Sequence, residues 1–174
     1  MKKLMVIVLV AAMLLSVGVC ALAESAKISD DALIGIVLPT KEESRWLNDQ
    51  KYFEQYFQDV NYEILFSQNN SATEKTNVET LISRGAEVIV LCPYAAAAAA
   101  AAVNTAKDEG IIVISYDRLI MDTPNLDYYV TFDSCSVGKA QADYLIEQAA
   151  GKQGVNLYMY SGALTDNNSV LFFE

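Results

Sequence analysis

The sequence predicts an α/β fold: a parallel sheet wound by helices on both faces. Three observations carry that expectation. Short apolar runs recur along the chain from residue 33, and stretches with helical spacing separate them. Gly or Pro marks most of the boundaries. One run, Val88 to Leu91, is short and wholly apolar, as a strand covered on both faces must be. Strands alternating with helices then imply right-handed crossovers and a parallel sheet.

The elements follow in order. Leu33 to Leu38, closed by Pro39, reads as a buried strand. Ser44 is placed to cap a helix over 45–59, in which Trp46, Phe53, Phe57 and Val60 recur at helical spacing. Tyr62 to Ser67 is a second strand. Ser71 and Glu74 match a capping box for the next helix, whose buried face carries Val78, Leu81 and Ile82 and which ends at Gly85. Val88 to Leu91 is the third strand, stopped by Pro93. The eight-alanine tract Ala95 to Ala102 has high helix propensity but no polar-against-apolar face, and Gly110 ends that segment. Ile111 to Tyr116 is the fourth strand and Tyr128 to Phe132 the fifth. A helix over 136–149 follows, with Val137, Ala140, Tyr144 and Leu145 inward. Val155 to Tyr160 reads as a sixth strand, followed by a polar stretch and the start of another helix.

Composition bounds the function. The chain has 174 residues, enough for one domain with a sizeable core and too few for two. Lys2 and Lys3, the apolar run Leu4 to Val19 and the small-residue site Ala21-Leu22-Ala23 form the pattern of an exported leader, residues 1–23. An uncleaved anchor and a lipoprotein acylated at Cys20 are the alternatives, the latter opposed by Val19 where a small residue is wanted. All three place the domain outside the cytoplasm. Without the two leader lysines, ten of the 12 basic residues face 22 acidic ones, a net charge near −12. Such a domain is repelled by a phosphate backbone, which argues against nucleic acid as a partner. Cys92 and Cys135 show no disulfide spacing and read as two buried free thiols. Histidine is absent, which removes Ser-His-Asp and Cys-His nucleophile systems and the usual zinc sites. No cofactor and no metal is called for.

In open parallel sheets, ligands bind beyond the carboxyl ends of the strands. Arg45 and Trp46 follow the first strand, Asp117 and Arg118 the fourth, and Asp133 the fifth. Asp166, Asn167 and Asn168 follow the expected sixth. A sugar hydroxyl both donates and accepts, so a sugar pocket needs acceptor-only groups beside donor-only ones. Asp and Arg supply these, and Asn offers both. Paired opposite charges let a neutral ligand bind without stranding a charge. Each residue also has a plainer reading: a surface ion pair for Asp117 and Arg118, a core position for Trp46, a turn or cap for Asp166 to Asn168. The expectation rests on their joint arrival at one edge.

The words Arg45-Trp46, Tyr116-Asp117-Arg118-Leu119-Ile120, Phe132-Asp133 and Asp166-Asn167-Asn168 resemble the periplasmic monosaccharide-binding proteins of type I fold. The likeness is to the xylose-binding and multiple-sugar-binding branch and runs over nearly the whole chain from residue 33. The resemblance implies a two-lobed receptor that closes on an aldose and delivers it to the membrane subunits of an ABC importer. In some members it also engages a chemoreceptor or sensor kinase. It implies first-lobe sugar contacts at Arg45, Trp46, Asp117 and Arg118, a contact near the hinge at Asp133, and second-lobe contacts at Asn167 and Asn168. The lobes divide as 24–133 for the first and 134–174 for the opening of the second. Family members are about twice as long, so the chain is expected to be C-terminally truncated with its second lobe only begun. Two departures stand out: Ser134 replaces the usual Asn after Asp133, and alanines replace a mixed sequence after the third strand. Two competing readings remain. One is the sugar-sensing domain of a signalling receptor. The other is a carboxylate-based glycosidase using Asp117 and Asp133, whose carboxyls must stand ~5–10 Å apart.

Overall fold

The computed structural model describes residues 28–173. The expected leader, Cys20 included, lies outside them. Five strands form one sheet: β1 (Leu33–Leu38), β2 (Tyr62–Phe66), β3 (Ala86–Leu91), β4 (Ile112–Tyr116) and β5 (Tyr128–Val130). Their order is β2-β1-β3-β4-β5, and every pairing is parallel. Five helices accompany them: α1 (Ser44–Tyr56), α2 (Ser71–Ser83), α3 (Ala100–Asp108), α4 (Ser134–Ala149) and the short α5 (Asn168–Leu171). The α/β expectation is met.

Alternation along the strands builds two cores. Val37, Ile89, Leu91 and Val113 point to one face, where Val78 and Leu81 of α2 and Val103 and Ala106 of α3 cover them. Ile36, Leu38, Val90 and Cys92 point to the other, where Trp46 and Phe53 of α1 and Phe57 just after it cover them. The chain turns outward from β1 in both directions, so the carboxyl ends of β1 and β3 flank the point where winding reverses. A crevice forms there in sheets of this kind.

Several expectations need correction. Glu43, not Ser44, occupies the cap position of α1, and its carboxylate accepts from the Trp46 indole N–H at 3.0 Å. Ser71 and Glu74 form no capping box. Asn70 caps α2, its Oδ1 accepting from the N–H groups of Ala72 and Thr73, and Glu74 turns inward to 1% exposure. Only the second part of the alanine tract is helical. It does have a buried face, Ala96, Ala99 and Ala102 leading to Val103 and Ala106, because small side chains let α3 approach α2 closely.

Val155 to Tyr160 is not a strand and its apolar side chains are exposed. A strand needs a ladder partner, and among the described residues none lies beside it. For the same reason Ala140, Tyr144 and Leu145 of α4 are exposed rather than inward, and Val137 is half-buried. Leu145, with Ala142 and Ile146, borders an open groove of about 980 Å³ between α4 and residues 157–162. Cys92 is buried, and burial pushes its thiol well above its ordinary pKa, whereas Cys135 at the start of α4 is exposed.

Candidate functional site

Asp117 is the hub of the carboxyl edge. It leaves β4 in a left-handed conformation, φ +64°, and is 3% exposed. Asp tolerates that region better than most residues because its short polar side chain bonds locally. Its N–H donates to the Val130 carbonyl at 2.8 Å. Its own carbonyl accepts from Thr131 Oγ1 at 2.9 Å, Tyr129 Oη at 3.2 Å and Asn168 Nδ2 at 3.3 Å. One backbone oxygen thus ties β5 and α5 to the end of β4, which fixes where the carboxylate points.

That carboxylate receives Arg45 Nη2 at 2.6 Å. Arg45 stands in the first turn of α1, half exposed, with its Nε 3.9 Å from Asp49 Oδ2 one turn on. Burial opposes the Arg45 charge, but the hydrogen bond and the field of Asp117 outweigh it and raise its pKa above the ordinary value. Burial pushes the Asp49 carboxyl up, and the nearby Asp117 charge adds to this while Arg45 opposes it. Tyr116, at the end of β4, is pushed up to about 12 by burial and by the charge of Asp49.

Arg118 makes the second pair. Its Nε lies 2.9 Å from Asp166 Oδ2, each side chain less than one-fifth exposed, and its Nη1 donates to the Pro93 carbonyl at 3.3 Å. Both guanidiniums lie over the Trp46 ring, Arg45 at 4.5 Å and Arg118 at 5.3 Å from its centroid. A cation over an indole face contributes about 0.5–2 kcal/mol, more as water is excluded. Asn168 is 4% exposed, and its Oδ1 is buried without a hydrogen-bond partner among the described residues. A buried acceptor left unpaired costs about 1–3 kcal/mol, so it favours an incoming donor.

The structure therefore brings together Arg45, Trp46, Asp117, Arg118 and Asn168, with Asp166 beside them. Asn167 sits next to Asn168 at the start of α5, its carbonyl accepting from the N–H groups of Val170 and Leu171. Trp46 is 1% exposed and belongs to the core beneath the rim as much as to the rim itself. Asp133 stands apart. It caps α4 through Ser136 N–H at 3.1 Å, is exposed, and among the described residues no hydrogen bond or ion pair joins it to the cluster.

Sequence reasoning missed Asp49, Tyr129, Thr131, Glu74 and the Pro93 carbonyl. Asp49 was within reach of it, lying four residues after Arg45 on one helix face. The others are placed by tertiary contacts that no local spacing announces.

Two guanidinium–carboxylate pairs over an indole, beside a buried amide with a free acceptor, make a nearly neutral surface rich in both donors and acceptors. Residues 34–174 match the family model described as a periplasmic binding protein domain. Over 168 residues the chain is 30% identical to the multiple sugar-binding periplasmic protein SbpA of Azospirillum brasilense, covering 92% of this chain and 47% of that protein. It is 33% identical over 141 residues to the D-xylose-binding periplasmic protein of Escherichia coli, covering 80% and 42%. A carbohydrate transporter solute-binding protein from Chloroflexus aurantiacus, solved in complex with D-glucose, superposes with a TM-score of 0.77 at 54% identity, covering 80% of this chain and 42% of that one. The chain spans about half the length of the relatives it matches. Its sheet order and its match from residue 34 onward make it a member of the periplasmic binding protein domain family.

Proposed function

We propose that this chain is part of an extracytoplasmic solute-binding protein that captures a monosaccharide, an aldose, for an ABC importer. The observation that carries the reading is the rim on which Asp117 and Arg118, paired to Arg45 and Asp166, flank the free carbonyl of Asn168 above Trp46. The relatives, a multiple sugar-binding and a D-xylose-binding periplasmic protein, point to the same ligand class.

In this reading the Asp117 carboxylate accepts from sugar hydroxyls and the Arg45 and Arg118 guanidiniums donate to them. Asn168 Oδ1 accepts a further hydroxyl, with Asn167 beside it. Trp46 is the apolar floor that holds both guanidiniums beneath the sugar. Asp133 contributes from the start of α4, where the first lobe (24–133) passes into the second (134–174). The membrane subunits of the importer are the partners, and the protein works in the periplasm or at the cell surface after export. The sugar is bound and released unchanged.

Calorimetric titration of the protein with its second lobe complete, against an aldopentose and aldohexose series, tests this. Asp117→Ala and Arg118→Ala each weaken binding by at least ~1.5 kcal/mol, about tenfold or more, as expected for a hydrogen bond to a charged group. Unchanged affinity in both variants sinks the assignment, and conversion of the sugar during the titration sinks the reading of simple binding.

A further inference from the structure

Glu74 is a buried carboxylate that lies behind the rim and hydrogen-bonds to none of its side chains among the described residues. It lies on α2, 1% exposed, and no cation lies within ion-pair distance of it among the described residues. Its Oε2 accepts the Tyr94 backbone N–H at 2.7 Å. The residue before Tyr94 is Pro93, whose carbonyl receives Arg118 Nη1. Two residues later, the Ala96 N–H donates to the Thr165 carbonyl at 2.9 Å, and the Ala96 carbonyl accepts from Met121 N–H at 3.0 Å. Residues 93–96 therefore receive three of the contacts that assemble the rim, and Glu74 fastens them from behind. A Pro has no N–H of its own, so the Tyr94 N–H is the first main-chain donor by which this loop can be held after Cys92.

We propose that Glu74 is a positioning residue for the ligand site: its carboxylate fixes the Pro93–Tyr94 turn and thereby the place of Arg118 over Trp46. The consequence for affinity rests on the sugar-site reading. The hold on Arg118 does not.

The charged groups around Glu74 are few. Arg118 acts on it from the loop after β4, and Asp166 faces Arg118 from the far side. The elements packed on α2 bring Val37, Leu91, Ala99, Ala102 and Val103, all without charge. Burial pushes the Glu74 carboxyl up to about 7, with the Tyr94 N–H and Arg118 pulling the other way. When ionised, Glu74 accepts strongly from Tyr94 and attracts Arg118. When protonated, it does neither well, so the rim loosens as pH falls through neutrality.

The chain offers a clean readout, having one tryptophan and no histidine. Trp46 fluorescence followed between about pH 5.5 and 8.5, where a histidine would otherwise titrate, reports the guanidiniums above the ring. The native chain shows a transition centred near neutrality, Glu74→Gln abolishes it because an amide does not titrate in this range and holds one neutral state throughout, and Asp49→Asn retains it. Absence of the transition, or its survival in Glu74→Gln, overturns the proposal. D-glucose affinity measured at both ends of the range falls several-fold toward acid in the native chain and stays level in Glu74→Gln. A fluorescence transition with affinity level in both overturns the positioning role and leaves sugar binding intact. No binding of any sugar at either pH defeats the sugar reading instead, and the fluorescence comparison then still decides whether Glu74 holds Arg118.

Discussion

Asp117 does two jobs that mutation can separate. Its backbone must be left-handed so that one carbonyl gathers Thr131, Tyr129 and Asn168, and its carboxylate must meet Arg45. Asp117→Asn keeps a side chain that tolerates the left-handed region and removes the charge. Asp117→Ala removes the charge and also meets the left-handed penalty of roughly 1–2 kcal/mol. In denaturant unfolding the Asn variant should stay near the native chain and the Ala variant fall below it by about that amount, while both bind sugar more weakly. Equal unfolding midpoints in the two variants contradict the backbone role. The Asp117-Arg118 pair was legible as a polar word after an apolar run, and the gain from Trp46 was half legible through its phase with Phe53 and Phe57. The φ of Asp117 was not, because it is imposed by contacts from residues 129, 131 and 168 rather than by its neighbours.

At the scale of elements, packing decided what pattern left open. The first five apolar runs became strands because each finds a parallel neighbour. Val155 to Tyr160 carries the same alternation yet forms no ladder, since strand formation depends on a partner as much as on the run itself. The Ser71–Glu74 spacing misled for a related reason. Asn70 took the cap, and burial rather than spacing drew Glu74 inward. Gly35 shows how closely α2 sits on β1: a Cβ built there falls 2.6 Å from Leu81 Cδ1 and 3.1 Å from its Cβ. Leu81 is fully buried and has no room to swing away. Gly35→Ala is therefore expected to destabilise the chain by about 1–3 kcal/mol, the usual range for overpacking. Leu81→Ala should cost less in the Gly35→Ala background than in the native chain, and strictly additive losses in denaturant titrations would show that the two residues do not press on each other.

For the whole molecule, the unusual feature is a buried acid in a chain with net charge −10. Glu74 holds its proton more tightly when folded than when unfolded, with about 7 against an ordinary 4.5. Folding then takes up a proton between those values, so this group adds stability as pH falls through that window and withdraws it above about 7. The shift corresponds to up to about 3 kcal/mol. Glu74→Gln should be more stable than the native chain at pH above this window and lose that advantage toward its acid end. Parallel stability–pH curves for the two would refute the buried-acid account. On the same scale the sheet and its two cores stand as a closed unit, while α4 and the segment after it leave apolar side chains uncovered, consistent with matches that reach only about half of each relative. The central claim is that a sugar sits on the rim joining Asp117, Arg118 and Trp46. It is tested most directly by a proton–nitrogen NMR titration of the chain with D-glucose and D-xylose, watching the single indole N–H and the Arg118 Nε–H. Saturable shifts of both signals, lost in Asp117→Ala, are the predicted result. Two unmoved signals across the sugar series, in a chain whose amide spectrum shows it folded, would contradict it.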